Sequence, residues 1–169
     1  MIVLFSFIFF EFAKLSSAKI IGVTGTRGKS TVTQLIYDAL KKAGRNVFLG
    51  GNVKGIAALP LLKKIGAADA EDAVVVMELD SWQLQGFGDA KISPTLAVWT
   101  NFMPDHMNYY KGSISRYFTD KANIFKYQKK DDILIVGESA RKAIKKNFRG
   151  RVKNKIIVSC VHDIPKNWK

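Results

Sequence analysis

The sequence predicts an α/β protein built on a mostly parallel sheet of the P-loop type, with helices on both faces. Short, continuous apolar runs alternate along the chain with segments of helical periodicity, which is typical of buried parallel strands joined by helices. The first apolar run leads into a glycine-rich turn and then into an amphipathic segment. That order of strand, loop and helix is typical of phosphate-binding α/β domains.

The predicted elements follow one another along the chain. The segment 20–31 contains the first strand and the glycine-rich turn, and the amphipathic pattern after it predicts a helix over 30–43, which Gly44 ends. A second helix is predicted over 56–65, with Pro60 in its first turn or at a kink. The remaining strands are predicted over 46–49, 73–77, 96–100, 133–136 and 156–158.

The composition fits one globular domain. The chain has 169 residues, of which 47% are hydrophobic, and this is enough to bury a substantial core. Its single cysteine, Cys160, excludes an internal disulfide and a cysteine metal cluster. A chain with so little cysteine suits a reducing compartment, and we expect a cytoplasmic protein.

Positive charge dominates the composition. Lysine and arginine number 27 against 14 acidic residues, a formal net charge of +13, and many of the cations lie in 126–130 and 141–155. This excess could attract a polyanion, either nucleic acid or a phosphorylated metabolite, or it could form a solvated helix face and loop. Because few aromatic residues that could stack on bases are interleaved with these lysines, we expect no nucleic acid as a partner.

The N-terminal stretch 1–10 is apolar and resembles the core of a signal peptide, with 16–18 as a possible cleavage site. However, no lysine or arginine precedes it, Glu11 interrupts it, and it is too short to span a bilayer. We therefore expect no stable membrane insertion, and we interpret 1–19 as a helix or linker.

The glycine-rich turn has the composition of a phosphate loop. Glycines let the backbone curl so that several N–H groups point at one anion, while Lys29 supplies a full positive charge and Ser30 or Thr31 supplies a hydroxyl for a magnesium ion. The general P-loop pattern has a glycine where Val23 stands, so this is a shorter form. The residues predicted to bind a nucleoside triphosphate are Gly25, Thr26, Arg27, Gly28, Lys29, Ser30 and Thr31.

Polar side chains follow two of the predicted strands. Glu78 and Asp80 come after the strand 73–77, and His106 lies in the loop after 96–100. Ligands of parallel sheets gather beyond the carboxyl ends of the strands, so these positions are candidates for metal or substrate binding. His162 has no such context, and we expect no role for it in the site.

Five motifs resemble those of one enzyme family, the Mur ligases, which add amino acids to the peptidoglycan precursor. In chain order these motifs are GTRGKST, GGN, ELDSWQLQ, TNFMPDHM and YFTDKANIF. They are similar to the family's central ATP-binding domain over about 9–160. Within the family, the ELDSWQLQ element is most similar to that of the member that adds D-glutamate.

The resemblance implies roles for individual residues. Lys29 and the loop amides would hold the β- and γ-phosphates of ATP, and Glu78 and His106 would be associated with Mg²⁺. Lys121 matches a lysine that several members carry as a carbamate, a ligand for a second Mg²⁺, whereas the sequence by itself predicts a surface helix lysine there. The implied catalytic residues are Lys29, His106 and Lys121, and the implied metal ligands are Ser30, Glu78, His106 and carbamylated Lys121.

Four further residues are implied on the precursor side of the site, namely Asn52, Asp80, Ser81 and Gln83. Asp80 stands where many family members have serine, which adds a negative charge near the reacting centre.

The implied activity is ATP-dependent amide-bond formation through an acyl phosphate. The substrates would be a UDP-linked muramoyl-amino-acid precursor and D-glutamate, in peptidoglycan precursor synthesis. Family enzymes have three domains, so the resemblance implies that 20–160 is the central domain, 1–19 a stub or linker, and 161–169 the start of a C-terminal domain. We therefore expect little or no ligation by the isolated chain.

Other functions remain open at this point. The chain could belong to another Mur-type ligase or to an enzyme similar to folylpolyglutamate synthase, which shares the loop and the Asp-His element. It could also be a non-catalytic ATP-binding module or a basic nucleic-acid-binding protein.

Overall fold

The computed structural model describes residues 18–53, 61, 65, 72–150, 152 and 154–159. Within these residues the strands are β1 (Lys19–Thr24), β2 (Val47–Gly51), β3 (Val74–Glu78), β4 (Leu96–Trp99), β5 (Ile133–Gly137) and β6 (Lys155–Ser159). The helices are α1 (Lys29–Lys42), α2 (Ser81–Asp89), α3 (Ile114–Ala122) and α4 (Glu138–Asn147).

The predicted strands and the helix after the glycine-rich turn are confirmed, with ends that differ by one or two residues. The predicted helix over 56–65 lies outside the described residues except for Leu61 and Ile65, which are both buried. The interpretations of 1–17, Cys160 and His162 also fall outside the described part of the chain.

All strand pairs are parallel, and the order across the sheet is β2-β3-β1-β4-β5-β6. The chain therefore leaves central strand β1 toward one edge of the sheet and later crosses to the other side of β1. Val23 of β1 is in register with Glu78 of β3, and Thr24 is in register with Trp99 of β4. The carboxyl ends of these three strands thus meet at the point where the strand order reverses, which is where open α/β sheets bind ligands.

Helices cover both faces of the sheet, as the sequence predicts. On one face, Val23 and Val76 pack with Val32 and Ile36 of α1. On the other face, Met77 belongs to a larger core formed with α2, α3 and α4. Side chains alternate between the two faces along a strand, so apolar residues at consecutive strand positions supply both cores.

The cations of 141–147 lie on α4, which packs Ala143 and Ile144 into the core and leaves Lys142, Lys145 and Lys146 exposed. This part of the basic segment is a solvated helix face, with Glu138 paired to Arg141 at 2.7 Å. None of the helices in the described ranges has the length and apolar character needed to cross a membrane.

Candidate active site

Residues 25–28 join β1 to α1 and form the predicted phosphate loop. Gly28 has a φ of 77°, a left-handed conformation that favours glycine, and it directly precedes the first helical residue, Lys29. Gly25 lies so close to β4 that a Cβ at this position would overlap the Thr100 hydroxyl. Both loop glycines are thus required by conformation or by space.

The start of α1 presents free backbone N–H groups. Val32 N donates to Gly28 O at 3.0 Å, the first backbone bond of the helix. The N–H groups of Lys29, Ser30 and Thr31 consequently have no acceptor within the helix. The first turn of α1 contains no acidic residue, so its partial positive charge is available to an anion.

Two lysine ammonium groups meet at the same backbone oxygen of this loop. Lys29 Nζ donates to Gly25 O at 3.2 Å, and Lys121 Nζ donates to Gly25 O at 2.9 Å and to Thr24 Oγ1 at 3.2 Å. The sequence-only expectation of a surface lysine at 121 is wrong, because α3 packs Lys121 against the end of β1 and leaves it only 2% exposed. The sheet and α3 therefore place a second lysine behind the loop.

Burial, followed by the positive charge of Lys29, lowers the pKa of Lys121 to about 7. The acidic side chains of Asp80 and Asp105 act in the opposite direction with smaller effects. Near neutral pH a substantial fraction of Lys121 is therefore a neutral amine. An uncharged amine can react as a nucleophile, which an ammonium group cannot.

Glu78 lies at the carboxyl end of β3 and is 3% exposed. Its Oε2 atom is buried and has no hydrogen-bond partner among the described residues. A buried, unpartnered carboxylate oxygen is costly in a protein, and a bound cation would supply the missing partner. Asn52 is adjacent, since its N–H donates to Glu78 O at 2.9 Å.

Glu78 fits a magnesium ion, which binds carboxylate oxygens and usually takes its other ligands from phosphates and water. The described residues contain no group of three or more His, Cys, Asp or Glu side chains that could hold a metal by themselves. A cation at this edge of the sheet would therefore depend on oxygens from a bound nucleotide as well as on protein ligands.

His106 lies in the loop after β4 and has a positive φ of 54°. Its ring is 4.8 Å from the ring of Trp82, and its Nε2 is 3.7 Å from Asp105 Oδ2. Trp82 belongs to the first turn of α2, so this contact joins the loop to the helix that follows Glu78. Within the described part of the chain, no direct hydrogen bond or ion pair connects His106 to Glu78 or Lys121.

Asp80 and Gln83 form a reciprocal cap at the start of α2. Asp80 Oδ1 accepts from Gln83 N, and Gln83 Oε1 accepts from Asp80 N, both at 2.9 Å. This arrangement satisfies two backbone donors at the helix N-terminus. Both side chains thus have a structural role, and their role in substrate binding, like that of buried Ser81, remains a prediction.

Thr26 directs its hydroxyl into the protein. Its Oγ1 donates to Met103 O at 3.1 Å, accepts from Met103 N at 3.0 Å, and lies 3.4 Å from Tyr117 Oη. Its N–H and that of Arg27 are also engaged, by the Asn101 side chain. The N–H groups left to face an anion are therefore those of Gly28 and the first turn of α1.

The sequence analysis did not identify Thr100, Asn101 and Tyr117 as parts of this site. A signal for the first two was available, because they directly follow a strand that ends beside the phosphate loop. Tyr117 begins the YFTDKANIF motif, but nothing in the sequence indicates its contact with Thr26, which lies 91 positions away.

Comparison with known proteins identifies similar sequences. The sequence model of the family described as Mur ligase middle domain matches residues 23–164. A UDP-N-acetylmuramoylalanine–D-glutamate ligase of Clostridium acetobutylicum is 42% identical over 126 residues, which cover 75% of this chain and 25% of that protein. The chain thus spans about a quarter of the length of curated relatives such as this one.

Solved structures share the fold. The MurF ligase of Thermotoga maritima in complex with ADP superposes with a TM-score of 0.63 and 21% identity, covering 93% of this chain and 36% of that one. FolC of E. coli in complex with DHPP and ADP superposes with a TM-score of 0.58 and 17% identity, covering 93% of this chain and 46% of that one. The α/β architecture predicted from the sequence is confirmed.

Proposed function

We propose that this chain, which belongs to the Mur ligase family through its middle domain, provides the part of an amide-bond ligase that binds the phosphates of ATP. The ligase would act in peptidoglycan precursor synthesis. The reaction would join D-glutamate to UDP-N-acetylmuramoyl-L-alanine. The curated relatives named as D-glutamate ligases support this choice, as does the ELDSWQLQ element. We further propose that the enzyme works in the cytoplasm, where ATP is available.

The observation that carries the proposal is the loop between β1 and α1, where Lys29 supplies a positive charge beside the N–H groups of the first turn of α1, which have no acceptor within the helix. Lys121 lies behind this loop and is 2% exposed, so it acts as a neutral amine or as a carbamate and not as a second phosphate-binding cation. The N-terminus of α1 adds partial positive charge at the same loop. The β- and γ-phosphates of ATP fit this arrangement of charge.

The proposed reaction has two steps. The precursor carboxylate attacks the γ-phosphorus of ATP, and the bond from that phosphorus to the bridging oxygen breaks, giving an acyl phosphate and ADP. The amine of D-glutamate then attacks the acyl carbon, loses a proton and displaces inorganic phosphate. Lys29 and the free amides at the start of α1 would stabilise the charge that develops on the transferred phosphoryl group.

Glu78, His106 and Ser30 are the residues that we propose to hold Mg²⁺, with Thr31 as an alternative hydroxyl ligand. Mg²⁺ would supply charge neutralisation at the phosphates. The neutral fraction of Lys121 could add to carbon dioxide and lose a proton, which would give a carbamate. That change would replace a cation by an anionic oxygen ligand for a second Mg²⁺.

Asn52, Asp80, Ser81 and Gln83 are proposed to contact the precursor. Asn52 is joined to Glu78 through the backbone, so it lies beside the proposed metal ligand. Because the chain spans about a quarter of its relatives, we propose that 20–160 forms the central domain and that the amino-acid site is formed outside it. Ligation by the 169-residue chain alone is then expected to be weak or absent.

Titration of the 169-residue chain with Mg-ATP by calorimetry tests this function. Lys29→Ala should weaken binding about tenfold or more, because it removes a charge-assisted contact to phosphate. The matched control is Lys142→Ala, which removes an exposed lysine of α4 and should leave the affinity unchanged. Equal affinities of the wild type and Lys29→Ala would count against the proposal. Nucleic-acid binding that survives Lys29→Ala would instead favour a basic nucleic-acid-binding protein.

A further inference from the structure

We infer that Asn101, assisted by Thr100, is a positioning residue that fixes the orientation of the Arg27–Gly28 peptide. This peptide decides whether the phosphate loop turns an N–H or a carbonyl oxygen toward the anion. The inference rests on the proposed function, because it concerns the same nucleotide site.

Asn101 binds the loop through both the oxygen and the nitrogen of its side-chain amide. Its Oδ1 accepts from Thr26 N at 3.1 Å and from Arg27 N at 2.9 Å, and its Nδ2 donates to Arg27 O at 3.0 Å. The backbone oxygen of Asn101 also accepts from Thr26 N at 3.2 Å. One side chain thus holds two successive amides and one carbonyl of a loop that lies more than 70 positions away in sequence.

Thr100 holds the same carbonyl from a second direction. Its Oγ1 donates to Arg27 O at 2.8 Å and lies 3.3 Å from Thr24 O. The close fit of Gly25 against this hydroxyl shows that the loop is in direct contact with the end of β4. The Arg27 carbonyl oxygen therefore has two donors, both of which come from the two residues after β4.

These contacts determine where the next N–H points. In a planar trans peptide the C=O and N–H bonds point in opposite directions, and the described residues, which include Arg27 and Gly28, contain no cis peptide bond. With Arg27 O held toward Thr100 and Asn101, the N–H of Gly28 is directed away from them. A Cβ placed at Gly28 would have no heavy atom within 4 Å, so this residue lies on the open side of the loop.

Because residue 28 is glycine, the hydrogen bonds from Thr100 and Asn101 are needed to fix the Arg27–Gly28 peptide. Glycine adopts positive and negative φ with similar ease, so Gly28 by itself does little to prevent the preceding peptide from turning over. A reversed peptide would present the partial negative charge of Arg27 O to a phosphate. The amide of Asn101 therefore converts a permissive glycine loop into one preorganised for anions, and preorganised dipoles are what phosphate binding requires.

Amide hydrogen exchange on the 169-residue chain can test the hydrogen bonds between Asn101 and the loop without any nucleotide. The Arg27 amide should exchange slowly in the wild type, and Asn101→Ala should accelerate its exchange about tenfold or more while leaving core amides of β1 unchanged. The Thr26 amide keeps its bond to the backbone oxygen of Asn101 in this variant, so its exchange should change less. Unchanged exchange at Arg27 in a folded Asn101→Ala protein would overturn the inference.

Nucleotide binding provides the second test. Asn101→Ala should weaken Mg-ATP binding about tenfold, Thr100→Val about threefold, and the double variant by more than the product of the two losses, because each residue partly substitutes for the other. A purely structural role would lower thermal stability without this non-additive loss of affinity in the folded protein.

Each outcome has a distinct meaning. If the wild type does not bind Mg-ATP, the proposed function fails, and this inference fails with it. If the wild type binds and both single variants bind equally well, only this inference fails. If Asn101→Ala does not fold, Thr100→Val decides, and wild-type exchange and wild-type affinity in that variant would overturn the inference.

Discussion

Lys29 and Lys121 donate to the same oxygen, that of Gly25, at 3.2 and 2.9 Å. The first lysine comes from the first residue of α1, and the second comes from α3, across 96 positions of sequence. Of the two side chains, only that of Lys121 is fully buried. The free-energy cost of keeping the ammonium group charged is therefore higher for Lys121 than for Lys29.

Lys121→Met should change the pH dependence of stability. The pKa of Lys121 is about 7 in the folded chain and near 10.4 in an unfolded chain, so the unfolded state binds more protons between these values. Wild-type stability should therefore rise, relative to Lys121→Met, as the pH increases from about 7 to about 10, by a few kcal/mol at most. Urea unfolding at several pH values measures this, with Lys142→Met as the exposed control. Parallel pH profiles for the wild type and Lys121→Met would contradict the burial argument.

Glu78→Gln should abolish the effect of Mg²⁺ on ATP binding without lowering the stability of the folded chain. The substitution removes the charge of a buried carboxylate whose Oε2 atom has no hydrogen-bond partner among the described residues. The free energy of unfolding of the nucleotide-free chain should therefore change by less than about 1 kcal/mol or increase. The gain in ATP affinity on adding Mg²⁺ should be lost. The comparison variant is Glu138→Gln, which affects an exposed ion pair on α4. A Mg²⁺-dependent gain that persists in Glu78→Gln would exclude Glu78 as a metal ligand.

Two glycines with positive φ should tolerate alanine very differently. At Gly28 a Cβ has open space, so Gly28→Ala should cost only the left-handed strain of roughly 1–2 kcal/mol. At Gly51 a Cβ would collide with the backbone of Glu78, and Gly51→Ala should cost more or prevent folding. Denaturant midpoints of the two variants provide the measurement. Equal losses would show that steric contact at β3 is relieved by a small backbone shift.

Asp80→Ala should destabilise the chain by about 1 kcal/mol through loss of the α2 cap, whereas Asp80→Ser should stay within a few tenths of the wild type. Serine is also a good N-cap residue, so the comparison isolates capping from charge. Thermal unfolding followed by circular dichroism measures both, with Asp131→Ala as a surface control. If Asp80→Ser were as unstable as Asp80→Ala, the carboxylate charge would matter more than the cap.

Local sequence signals were sufficient for most of the fold. The apolar runs at 73–77 and 96–100 predicted β3 and β4 because strands buried on both faces need no polar alternation. The glycine-rich turn predicted the junction of β1 and α1 for a reason that is equally local. The cap formed by Asp80 and Gln83 was also readable from their spacing.

Long-range packing explains what could not be predicted. Nothing near Lys121 in the sequence indicates burial, because its surroundings come from β1 and the phosphate loop. For Asn101, its place directly after β4 indicated the site, but not the hydrogen bonds that join segments more than 70 positions apart. Sequence periodicity indicates which face of an element is apolar, but it does not indicate which strand becomes the neighbour of β1.

The burial of Lys121 also has a kinetic consequence. An amine with a pKa of about 7 is reactive toward acylating reagents at neutral pH, yet a side chain that is 2% exposed cannot meet them in the closed structure. Modification of Lys121 must therefore wait for α3 and the phosphate loop to separate. The rate at which Lys121 is labelled would therefore report the rate of that opening. A bound phosphate that holds the two segments together should lower the labelling rate.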